Sequence, residues 1–216
     1  DLTIAADSGT AFTGTSVADT IDGSLDGGNQ TLHGFDVIDG AGGNDTLTGT
    51  IASTLTVEPT LTSVEVVNLL YTAAGTVSLD LAPDVTDLKV YASTVATAVT
   101  NIESNVNLTL EDVVGSNTAA FTFKADAVGS ATSALTLNTD GSTATVDINV
   151  SGSDVYTTAT VNSTGSASVL TLDALDTVTG LTITGDAALT LASTNSFTAI
   201  TSITASDFTG ALTMDL

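Results

Sequence analysis

A chain of 216 residues with 25 acidic side chains and only two lysines carries a formal net charge of −23. Phosphate recognition needs clustered Lys and Arg, so this charge excludes nucleic acid as a partner and disfavours a polybasic contact with anionic lipid. A hydrophobic share of 42% and a mean hydropathy of +0.38 argue for a folded chain rather than a disordered one. There is no cysteine, so the obvious candidate for a staple beyond packing is a metal ion, and no apolar run is long enough to span a bilayer.

The apolar residues are chiefly Ala, Val, Leu and Ile; aromatics are 4%, and 43 of the 216 residues are Thr. Small and β-branched side chains favour pleated, thin layers, and no segment has a helical period. The expected class is all-β.

Residues 1–58 carry dense Gly and Asp punctuation. Asp-x-Ile-Asp-Gly occurs as DTIDG (Asp19 to Gly23) and DVIDG (Asp36 to Gly40), with a weaker copy DTLTG (Asp45 to Gly49). The leading aspartates lie 17 and then 9 residues apart, near multiples of nine, which reads as an imperfect repeat and as stacked coils. Gly40-Ala41-Gly42-Gly43-Asn44-Asp45-Thr46-Leu47 follows the calcium β-roll pattern G-G-x-G-x-D-x-U-x. In that pattern the glycines turn carbonyls toward an ion, the Asp adds a carboxylate, and the large apolar residue anchors the loop. GTSVADTID holds Gly14, Asp19 and Ile21 in the same places, with Val17 where Gly is expected. Calcium takes about six to eight hard oxygens. The expected ligands of a Ca2+ cofactor are the carboxylates of Asp19, Asp22, Asp36, Asp39 and Asp45, supplemented by Gly40, Gly42 and Asn44. The competing reading of the same residues is a set of Asp-capped turns without an ion.

Residues 59–216 change to short alternating segments at intervals of roughly 10 to 14 residues. VSLDL, LKVY, NLTL, FTF, LTL, VDINV, VLTL, LTIT, a second LTL and LTM are the expected strands. Two architectures suit them. A right-handed parallel β-helix or β-roll solenoid is preferred for the repeat and the small side chains; tandem β-sandwich modules are the alternative. Glu65 and Glu103 stand in matching places of TSVEVVNLLY and TNIESNVNLTL, which look like copies of one element. His33 reads as an exposed loop residue, and the Thr-x-Thr pairs beginning at Thr46, Thr54, Thr177 and Thr182 read as outward strand faces.

The segments FTGTSVADTIDG, LHGFDVIDGAGGNDTLTG and LTSVEVVNL resemble bacterial RTX-type surface-layer proteins and large RTX surface proteins. The closing SITASDFTGALTMDL resembles their Thr-rich β-solenoid repeats. The likeness is good over about 70 residues at the start and loose over the rest, and it departs from the pattern at Ala41 and Val17. It implies an exported, non-enzymatic protein of the bacterial cell surface that folds in calcium and joins identical subunits in a lattice. A calcium-dependent adhesin that binds cell-surface polysaccharide is the alternative. An extracellular polysaccharide-active enzyme is a third reading, weakened by the lack of Arg. GALTMDL still reads as a strand and Asp1 is not an initiator Met, so a piece of a longer chain is expected.

Overall fold

A computed structural model describes residues 1–9, 12–115, 117–128, 133–151, 156–194 and 197–215. Every regular element among them is a strand. The strands are β1 (Thr20–Gly23), β2 (Val37–Asp39), β3 (Thr46–Ile51), β4 (Thr56–Val57), β5 (Thr60–Thr62), β6 (Val66–Tyr71) and β7 (Thr76–Ser78). They continue as β8 (Asp87–Tyr91), β9 (Thr97–Ile102), β10 (Asn107–Glu111), β11 (Asn117–Phe123), β12 (Ser133–Asp140) and β13 (Thr143–Val150). The series closes with β14 (Tyr156–Ser163), β15 (Ser168–Asp173), β16 (Gly180–Gly185), β17 (Leu189–Thr194), β18 (Ser202–Thr204) and β19 (Leu212–Asp215).

Consecutive strands go to different sheets. A nine-stranded sheet has the order β1-β3-β6-β8-β10-β12-β14-β16-β18, and an eight-stranded sheet runs β19-β17-β15-β13-β11-β9-β7-β4. A short third strip pairs β2 with β5. All pairings within these sheets are parallel, which a sandwich of antiparallel sheets does not allow. The chain is a β-solenoid. In the large sheet Thr20 pairs with Thr46, then Val66, Asp87, Asn107, Thr136, Thr160, Thr182 and Thr204 follow in turn. Each turn therefore takes 20 to 29 residues and contributes one strand to each large sheet wherever both are formed. The nine-residue period expected from the aspartates is not the stacking unit. DTIDG lies on DTLTG 26 residues later, whereas DVIDG runs into the third strip and faces β5.

Strand alternation makes the core. Leu47, Val67, Leu88, Leu108, Leu137, Val161 and Ile183 form one inward ladder, each at most 1% exposed. Val57, Val77, Val99, Phe121 and Ile148 form the facing ladder, and both belong to one continuous hydrophobic core. A single turn cannot bury such a face; stacking on its neighbours does so. The ladder is unbroken across residue 58, because β3 pairs with β6.

Outward positions also bond from turn to turn. The Thr179 hydroxyl donates to the Thr157 carbonyl (3.1 Å), and the Thr201 hydroxyl donates to the Thr179 carbonyl (3.0 Å). Asn162 Nδ2 donates to Asn138 Oδ1, and the Thr184 hydroxyl donates to Asn162 Oδ1, both at 3.1 Å. Thr is thus abundant for its β-branched shape and also for a hydroxyl that reaches the previous turn.

Candidate functional site

The Gly-Asp turns lie at the first corner of the solenoid. Residues 14–19 stack on residues 40–45, because Thr20 and Ile21 pair with Thr46 and Leu47. This is the register that the matching of Gly14, Asp19 and Ile21 to Gly40, Asp45 and Leu47 anticipates. The Gly14 amide donates to the Asp39 carbonyl (2.6 Å), and the Gly42 amide donates to the Thr15 carbonyl (3.0 Å). Gly40 is buried, and a Cβ there would lie 1.9 Å from the Ser63 carbonyl oxygen and 2.5 Å from Asp45 Oδ2. Gly43 has φ +130°, and a Cβ on it would meet the Val17 backbone at 2.5 Å. Val17, the departure from the pattern, is therefore accommodated by the glycine of the next turn.

The five expected carboxylates lie in this corner or on the segments that enter and leave it, and backbone amides hold them. Asp36 is fully buried; Oδ1 accepts from the Asp7 amide (2.9 Å) and Oδ2 from the His33 amide (2.6 Å). Burial pushes the Asp36 carboxyl above its ordinary pKa, although both amides oppose the shift. Asp19 Oδ2 accepts from the Thr15 amide (2.6 Å) and the Thr15 hydroxyl (2.9 Å). Asp39 Oδ1 accepts from the Ala41 amide (2.9 Å), and Ala41 adopts a left-handed φ of +67°. Asp22 lies on β1, and the Ser24 amide donates to its Oδ1 (2.9 Å), holding this carboxyl below its ordinary pKa. Asp45 is fully buried. Its Oδ1 accepts from the Asp19 amide (2.6 Å), while Oδ2 has no hydrogen-bond partner.

The fold brings Asp19 and Asp45 together, but the five carboxylates do not converge. Among the described residues no three His, Cys, Asp or Glu side chains form a group that could hold a metal ion. A cavity of about 250 Å³ beside Gly14 and Ile21 has only Asp1 and Asp19 as acids in its lining. Asn44 is exposed, and Gly42 is half-buried.

Several acids at work here were not among the expected ligands. Asp7 is 3% exposed and accepts from the Thr3 amide (2.6 Å) and the Thr3 hydroxyl (2.8 Å), repeating the Thr15–Asp19 arrangement. The sequence carries the signal: TIAAD (Thr3 to Asp7) and TSVAD (Thr15 to Asp19) share Thr-x-x-Ala-Asp. Glu65 Oε2 accepts from the Asp45 amide (2.7 Å), and Asp84 Oδ2 accepts from the Ser63 amide (2.8 Å). Glu65 and Glu103 are not equivalent, because Glu65 precedes β6 while Glu103 follows β9 in the opposite sheet. Glu103 instead shares the Lys124 ammonium with Asp80, at 2.5 and 2.6 Å. His33 is half-buried rather than exposed, and its Nε2 has no hydrogen-bond partner. No helix among the described residues is long and apolar enough to cross a membrane. No protein-family model matches the chain, no curated protein resembles it in sequence, and no solved structure matches it.

Proposed function

We propose that this chain is a structural, non-enzymatic module of a bacterial cell-surface layer, exported and assembling with copies of itself. The observation that carries this reading is the use made of its polar side chains. Asp45, Glu65, Asp84, Asn162, Thr179 and Lys124 each bond one turn to the next. A scaffold spends its polar groups in that way, whereas an enzyme keeps some converging on a cleft. The charge of −23 also suits a coat, since it keeps copies apart until a counter-ion brings them together.

Light scattering followed by negative-stain electron microscopy tests the reading. Ordered sheets or filaments are expected in millimolar calcium, with less assembly in sodium chloride of equal ionic strength, because sodium only screens the repulsion. A chain that stays monomeric in both would remove it. A glycan-binding module is the second reading, favoured by an uncharged outward strip of Thr136, Thr160, Thr182, Asn138 and Asn162 on an otherwise acidic molecule. Binding of the monomer on a glycan array would favour it.

A further inference from the structure

We propose that the carboxylates of the Gly-Asp corner take the place of a metal ion, so that the first turns fold without calcium. A calcium ligand points its oxygen lone pairs at a shared centre, and positively polarised N–H groups are kept away from that centre. Here carboxylate oxygens are instead turned to backbone amides. Asp36 accepts two of them, Asp45 accepts that of Asp19 one turn before it, and Glu65 accepts that of Asp45. The bonds are 2.6 to 2.9 Å long, the range of charge-assisted hydrogen bonds, and two of the acceptors, Asp36 and Asp45, are fully buried. The partial positive charge of each N–H offsets part of the cost of burying its carboxylate. Where two acids of successive turns do need a full cation, the chain supplies its own in Lys124. The inference does not depend on whether the protein forms a coat.

Asp45 separates the two mechanisms. Its Oδ1 accepts an amide while its Oδ2 has no hydrogen-bond partner; Oδ2 and the Ser63 carbonyl oxygen both lie within 2.5 Å of the place a Gly40 Cβ would take. An Asn at this position keeps an oxygen to accept the Asp19 amide and places its NH2 toward the gap that the Ser63 carbonyl also borders, yet it removes the charge that calcium requires. The experiment is thermal unfolding of the monomer, in chelator and in millimolar calcium at matched ionic strength, for the wild type, Asp45→Asn and Asp45→Ala. The wild-type Tm is expected to differ by less than about 2 °C between the two conditions. Asp45→Asn is expected to match or exceed the wild type, and Asp45→Ala to lose several degrees. A larger calcium-dependent rise in the wild type overturns the proposal. So does an Asp45→Asn variant that falls as far as Asp45→Ala.

Discussion

A buried glycine and a left-handed alanine mark opposite tolerances of the backbone. Gly40 has no room for a methyl group, since the Ser63 carbonyl occupies its place. Gly40→Ala is expected to cost about 3 kcal/mol, the range of backbone and overpacking defects, measured by chemical denaturation. Ala92 adopts φ +45°, where an L side chain is strained by roughly 1–2 kcal/mol. Ala92→Gly should release most of that strain while giving back part of it as unfolded-state entropy, for a net gain of about 0.5 kcal/mol. Two phenols respond to alkali at this scale. Burial pushes Tyr71 and Tyr156 well above the ordinary tyrosine range, so their neutral forms favour the folded state. That contribution is complete below a pH of about 10 and is lost as the pH rises beyond it. Phenolate absorbance from these two should therefore rise together with loss of circular dichroism, and ionisation well before unfolding would contradict their burial.

At the level of the strand, the inward ladders and the outward hydroxyl ladders contribute unequally. Leu108 is fully buried between Leu88 and Leu137, so Leu108→Ala leaves a cavity two neighbouring turns share. A loss of about 3 kcal/mol is expected. Thr179→Val keeps the shape and removes only the hydroxyl that reaches Thr157. That change should cost about 0.5–1 kcal/mol, because the Thr157 carbonyl still accepts the Thr179 backbone amide (2.9 Å). Denaturant titration of both variants checks the ranking; a Thr179→Val loss equal to that of Leu108→Ala would mean that the hydroxyl ladders dominate.

For the molecule as a whole, stacking in one dimension makes stability a sum over neighbouring turns, and a turn with one neighbour is the weakest. At the β1 end the Leu2 amide donates to the Asp22 carbonyl and the Leu2 side chain is buried, which covers that end. At the other end all three residues of β18 are exposed, with Ile203 at 48%, although its partner Leu181 is 1% exposed. Hydrogen exchange should therefore open β18 and β19 first, while β10 to β13 exchange only with global unfolding. Equal protection along the chain would show that the turns do not melt from this end.

The sequence by itself marked many of the later strands and their facing. Alternation in VDINV, LTIT and NLTL marks β13, β16 and β10, because a period of two leaves only one face apolar. It missed β9, β14 and β18; in β14 the inward Tyr156, Ala159 and Val161 of YTTATVNS are unevenly spaced among Thr and Asn, and the burial of Ala159 depends on neighbours that are distant in sequence. The Gly-Asp residues were legible as a special corner, down to the register of Gly14 and Asp19 on Gly40 and Asp45. Which distant amides those carboxylates accept was decided only in three dimensions. An Asp that accepts an amide from another turn and an Asp that holds an ion require the same residue type at the same spacing. They differ in the direction of an N–H 20 to 29 residues away, as with Asp45 and Glu65 or Asp7 and Asp36. Local spacing carries no information about that direction, because it is set by how far each turn's loops carry the chain before the next strand pairs.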